Sequence, residues 1–185
     1  MKKPFAFSLW LWLFFLFSCA PSWEKIQPEL KAHPEQGKYL EVKFIPSPDF
    51  LCGASSLAML FSYYGKEVPL EEIAEKYFSP QAGGMFTLDL IACAREYGFE
   101  PKAEPGNLEK LKQALNQNKP VIVFLNYLPE PFPARHFALV VGYYQKDDKC
   151  WLILHSGRTQ NQLLPCPKFT RLWKRTNYWM MSVNF

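Results

Sequence analysis

The sequence predicts an α+β fold, an N-terminal helical lobe packed on a C-terminal, mainly antiparallel sheet. Three observations carry this. Apolar residues recur at helical spacing in the first half, as at Leu57, Leu60, Phe61 and Tyr64. The second half carries short β-branched and aromatic runs instead: "PVIVFLNY" from Pro120, "HFALVVGYY" from His136 and "CWLILHSG" from Cys150. Helices come first and strands after, without regular alternation, so the two segregate.

The first segment reads as an export signal. Lys2 and Lys3 precede a continuous apolar run over residues 5–17, too short for the roughly 20 residues that a spanning helix needs. Leu16-Phe17-Ser18-Cys19 resembles a bacterial lipobox, with a bulkier Phe17 than is usual. The resemblance implies removal of residues 1–18 and lipidation of Cys19, hence export to the cell envelope and a lipid anchor in the membrane. Ala20-Pro21-Ser22 carries no aspartate, which in that class implies the outer membrane, periplasmic side, in a Gram-negative cell. Residues 19–38, polar and proline-bearing, read as a tether, and residues 39–185 as the domain.

Within the domain, Gly65 ends the helix that starts near Cys52. Leu70, Ile73, Ala74, Tyr77 and Phe78 mark a second helix over 70–78. Gly83-Gly84 is a loop, Thr87 caps a third helix closed by Gly98, and Asn107 caps a fourth. Residues 145–149 form a polar hairpin turn, residues 169–175 a short helix and "YWMMSVNF" a last strand.

The net charge is +4; without Lys2 and Lys3 it is +2, too small to point to nucleic acid. A basic group at Lys168, Arg171, Lys174 and Arg175 reads as a solvated face. No cofactor is implied: there is no paired Cys or His spacing for a metal and no glycine-rich phosphate loop. Cys93 falls on the apolar side of a helix. Cys150 and Cys166 flank a strand and its return, and an exported chain permits a disulfide there.

The chemistry centres on Cys52. It opens a helix, where free N–H groups and aligned peptide dipoles favour negative charge, and Gly53 and Ala54 leave room for a substrate backbone. A thiol needs a base to become the reactive thiolate. Of the three histidines, His33 lies in the tether, His155 ends a strand, and His136 opens an apolar strand after the proline-rich loop "LPEPFPAR". The crevice between lobes brings Cys52 and His136 together.

"CGASSLAMLFSYYG", the later "GG…T…L…A…A…YGF", "KPVIVFLN" and "HFALVVGYY" resemble the papain-like cysteine peptidases that process bacteriocin leaders, the double-glycine leader peptidases, and especially their exported lipoprotein relatives. The likeness covers about residues 42–183. It implies a papain-like fold, a peptide or protein substrate, Cys52 as nucleophile and His136 as proton shuttle. It also implies an oxyanion hole of the Cys52 N–H and a glutamine five or six residues earlier, where this chain has Ser47. Losing such a donor costs about 3 kcal/mol of transition-state stabilisation. The Asp or Asn that follows the histidine strand in this family is missing; the segment reads Leu154-His155-Ser156-Gly157. His155 or Ser156 is left to orient His136, with Asn126 and Asn161 as outside candidates. Two further readings remain open: a catalytically degenerate relative that binds a peptide or envelope partner in the same crevice, and acyl transfer by the same pair.

Overall fold

The computed structural model describes residues 21–184. The signal segment and Cys19 lie outside the described residues. A seven-stranded, antiparallel sheet is built mostly from the second half of the chain, with one short strand from ahead of the helical lobe. It comprises β1 (Gly37–Tyr39), β2 (Glu100–Pro105), β3 (Val121–Asn126), β4 (Arg135–Lys146), β5 (Lys149–Ser156), β6 (Thr159–Pro165) and β7 (Trp179–Asn184). The strand order is β2-β7-β3-β4-β5-β6, with β1 pairing on β4. From Phe137 to Val141 every residue of β4 is buried, which is why that run is continuously apolar rather than alternating.

The helical lobe holds α2 (Cys52–Tyr63), α3 (Leu70–Tyr77) and α4 (Thr87–Glu96). All residues of α2 from Cys52 to Phe61 are buried, because the helix lies between β4 and the helices α3 and α4. Its small first turn lets it approach the sheet. Gly65 follows in a left-handed conformation, φ +80°. α5 (Leu108–Asn116) and α6 (Cys166–Lys174) complete the helices against the sheet. Asn107 caps α5 by accepting from the Lys110 N–H at 2.8 Å.

Four differences from the sequence reading have physical reasons. The segment read as a tether folds into α1 (Trp23–Ala32). Trp23, Ile26 and Leu30 share one face, Ile26 is buried, and Glu29 pairs with Lys146 of β4 at 2.8 Å; Pro28 within the helix masked this periodicity. Thr87 is the first residue of α4, and the Asp89 carboxylate caps by accepting from the Phe86 N–H at 2.7 Å. α6 begins at Cys166, where a disulfide to Cys150 joins it to β5. β2 and β6 are additional strands at the two sheet edges, where the prolines of β2 and the polar residues of β6 are tolerated.

Candidate active site

Cys52 stands at the first residue of α2, directly after a 3-10 turn over Asp49–Leu51. The residue is 9% exposed. The backbone N–H of Phe137 donates to Cys52 Sγ across 3.4 Å. Since His136 is the preceding residue on β4, the strand that carries the imidazole is bonded to the sulfur. Two cavities meet at this point. One, of about 690 Å³, is lined by His136, Tyr127, Ser156 and Gly157; the other, of about 410 Å³, by Cys52, Met85, Phe124 and Phe137. Asp49 and Arg135 line both.

His136 is held by Ser156: Nε2 and the Ser156 Oγ lie 2.9 Å apart. The Tyr127 ring stands edge-on to the imidazole, 6.3 Å between centroids. With the Nε2–H donating to Ser156, the Nδ1 lone pair is left to take a proton.

The strand pleat decides between the two candidates for orienting His136. Successive side chains of β5 point to opposite faces. Ser156 faces His136, while His155 faces inward, fully buried. Its Nε2–H donates to the Val42 carbonyl at 3.1 Å and its Nδ1 accepts from the Asn161 N–H at 3.3 Å. His155 therefore supports the fold, not the His136 ring. Asn161 is spent on His155 and on the Tyr39 hydroxyl, which donates to its Oδ1 at 3.1 Å. Asn126 is buried with its Oδ1 unpartnered.

The implied oxyanion hole differs as well. The Ser47 hydroxyl is buried without a hydrogen-bond partner. Its neighbours Pro48 and Asp49 line the first cavity, but Ser47 lines neither. The Cys52 N–H closes the 3-10 turn onto the Asp49 carbonyl. The Ser47 side chain thus faces the interior, and the chain N–H nearest the sulfur is already engaged.

Electrostatics oppose a preformed ion pair. Burial pushes the Cys52 thiol up, only partly offset by the N–H groups of Phe137 and Gly53. Burial pushes His136 down, against the pull of the Asp49 charge. Both shifts favour the neutral thiol and the neutral imidazole, in contrast to the thiolate that the helix terminus alone leads one to expect. Cys93 is fully buried in α4, its thiol pushed up to about 12 by burial. Among the described residues no group of three His, Cys, Asp or Glu side chains is arranged for a metal ion. Sequence reasoning missed Asp49 and Tyr127. The signal for both was their position: one on the turn feeding the nucleophile helix, the other leading the loop into the histidine strand.

A cysteine at the start of a helix packed on the strand that carries the histidine, in a mainly antiparallel sheet, is the architecture of a papain-like peptidase. The sequence profile of the Peptidase_C39 like family matches residues 39–180, and the chain belongs to that family. Solved structures agree. A putative C39-like peptidase from Bacillus anthracis superposes with a TM-score of 0.67 at 18% identity, covering 80% of this chain and 98% of that one. The peptidase domain of Streptococcus ComA, a bifunctional ABC transporter of a quorum-sensing pathway, gives 0.60 at 20% identity, covering 77% and 98%. A double glycine motif protease from an AMS/PCAT transporter, in complex with its leader peptide, gives 0.60 at 26% identity, covering 79% and 93%. A comparison with curated proteins finds no match.

Proposed function

We propose that this chain is a cysteine peptidase that hydrolyses peptide bonds outside the cytoplasm, anchored at the cell envelope through lipid on Cys19 after loss of residues 1–18. The observation that carries the catalytic reading is the bond from the Phe137 N–H to Cys52 Sγ, which ties the imidazole's strand to the sulfur. The leader peptide bound by the AMS/PCAT relative supports a peptide substrate. The Cys150–Cys166 disulfide fits an oxidising compartment.

The mechanism follows from a neutral resting pair. His136 acts as general base: Nδ1 takes the Cys52 proton as the sulfur attacks the carbonyl carbon. The tetrahedral oxyanion collapses to a thioester, and the imidazolium gives its proton to the departing amine. Water, deprotonated by the same nitrogen, then hydrolyses the thioester. Ser156 keeps Nε2 engaged throughout. The test is cleavage of a peptide library by the mature protein, with Cys52→Ala and His136→Ala as controls. Cleavage lost in both variants is expected; cleavage retained in Cys52→Ala removes the reading. Mass spectrometry of the mature N-terminus tests the anchor, and an unmodified start at Cys19 removes it.

The uncharged partner of His136 and the absence of Ser47 from the cavity linings favour a second reading: a degenerate relative that holds a peptide or envelope partner in the crevice. That reading expects peptide binding with no thioester and no turnover.

A further inference from the structure

Asp49 is the acidic group at the cleft that the mechanism above leaves without a task. It lines both cavities. Its side chain is exposed and makes no hydrogen bond or ion pair among the described residues. Gly157 connects it to the base. This glycine has φ +56°, and a Cβ built on it lies 3.1 Å from Asp49 Oδ1 and 3.7 Å from His136 Cε1. The missing side chain leaves an opening in which carboxylate and ring edge face the same small volume.

We propose that Asp49 is a positioning residue for His136, its carboxylate stabilising the imidazolium across Gly157. The proposal rests on the peptidase reading and divides the work of the missing family carboxylate. Ser156 supplies direction at Nε2 but no charge; Asp49 supplies charge but no hydrogen bond. When the proton moves from Cys52 Sγ to His136 Nδ1, positive charge appears on the ring, and the Asp49 carboxylate faces it across the opening at Gly157.

Other groups at the ring cannot take this part. Cys52 on α2 is the proton donor. Tyr127, at the end of β3, has a phenol pushed up by burial and carries no charge near neutral pH. Arg135, on the ring's own strand, is cationic and paired with Glu130 at 3.1 Å. Arg158, at the turn between β5 and β6, is cationic and lines the same cavity. Neither arginine offers a negative charge, which leaves Asp49 as the carboxylate that lines the two cavities. The Asp49 charge pulls the His136 pKa up and also raises that of the Cys52 thiol. Removing it therefore moves both titrations the same way.

The test is an imidazole NMR titration of His136, assigned with His136→Ala, beside the pH dependence of kcat/KM. In Asp49→Asn the His136 midpoint and both limbs of the rate profile shift toward acid by about half a unit or more, and Asp49→Glu restores them. A midpoint unmoved in Asp49→Asn overturns the proposal even if peptides are still cleaved. A change confined to KM for cationic peptides overturns it too, making Asp49 a substrate contact. A shifted midpoint in a protein that cleaves nothing upholds the coupling and removes the peptidase reading instead.

Discussion

Ser156 Oγ lies 2.9 Å from His136 Nε2, so a hydroxyl fills the position from which this class of site draws a carboxylate. A hydroxyl fixes the ring without lending it charge. Ser156→Ala removes a neutral hydrogen bond worth about 1 kcal/mol, so kcat/KM falls about fivefold. Ser156→Asp adds an anion at the same nitrogen, and the acid limb of the pH profile, set by the ring that must be neutral to act as base, moves up by about one unit. Steady-state kinetics across pH 5–9 read both; a Ser156→Asp variant with an unmoved acid limb contradicts the assignment.

Thiol labelling distinguishes the two free cysteines of the described chain. Iodoacetamide modifies Cys52 well before Cys93, which is fully buried with its thiol pushed up to about 12. Because burial also raises the Cys52 thiol, its labelling rate climbs roughly tenfold per pH unit below the thiol pKa. Peptide mass mapping after timed quenching checks this. Equal labelling of the two in the folded protein argues against the site.

His155 makes the fold sensitive to acid. Its Val42 and Asn161 partners hold it as the neutral Nε2–H tautomer, and burial lowers its pKa. A lowered native pKa gives stability that is full above the ordinary histidine value of 6.5. That stability is lost as pH falls through the native value. Tm is expected to drop as pH goes from 7 to 5. His155→Asn is less stable at pH 7 by about 1–3 kcal/mol, yet shows a flatter acid slope. Thermal melts over pH 5–8 measure both.

The disulfide closes a separation of 16 residues between β5 and α6. For that loop length the link is worth about 3 kcal/mol, or about 10 °C in Tm for a chain of this size. Cys150→Ser with Cys166→Ser is expected to fold with a Tm lowered by that order, and reductant is expected to reproduce the loss in the wild type. A Tm unaffected by either contradicts the link.

Much of the molecule could be read from residues alone. The helices behind Cys52 and Leu70 and the strands from Val121, Arg135 and Lys149 follow from strong periodicity or unbroken β-branched runs. α1 was hidden because Pro28 interrupts a three-residue apolar face, and β2 and β6 because edge strands carry prolines or polar residues. In the site, chemistry restricts Cys52 and His136 to very few candidates. The orienting residue depended on strand phase: one step along β5 separates His155 from Ser156, and only the pleat says which faces His136. Asp49 was invisible because its relation to the ring runs through a gap at Gly157, a contact across more than a hundred residues of chain.

The desolvation of Cys52 has a consequence for survival. Conditions that oxidise Cys150 and Cys166 into a cystine also threaten the Cys52 sulfur, since thiolates are what peroxides and disulfides attack. With 9% of its surface open and burial pushing its thiol up, Cys52 offers little thiolate to such oxidants. On the peptidase reading, a sulfur that loses its proton to His136 only during attack stays reduced where a standing thiolate would be lost.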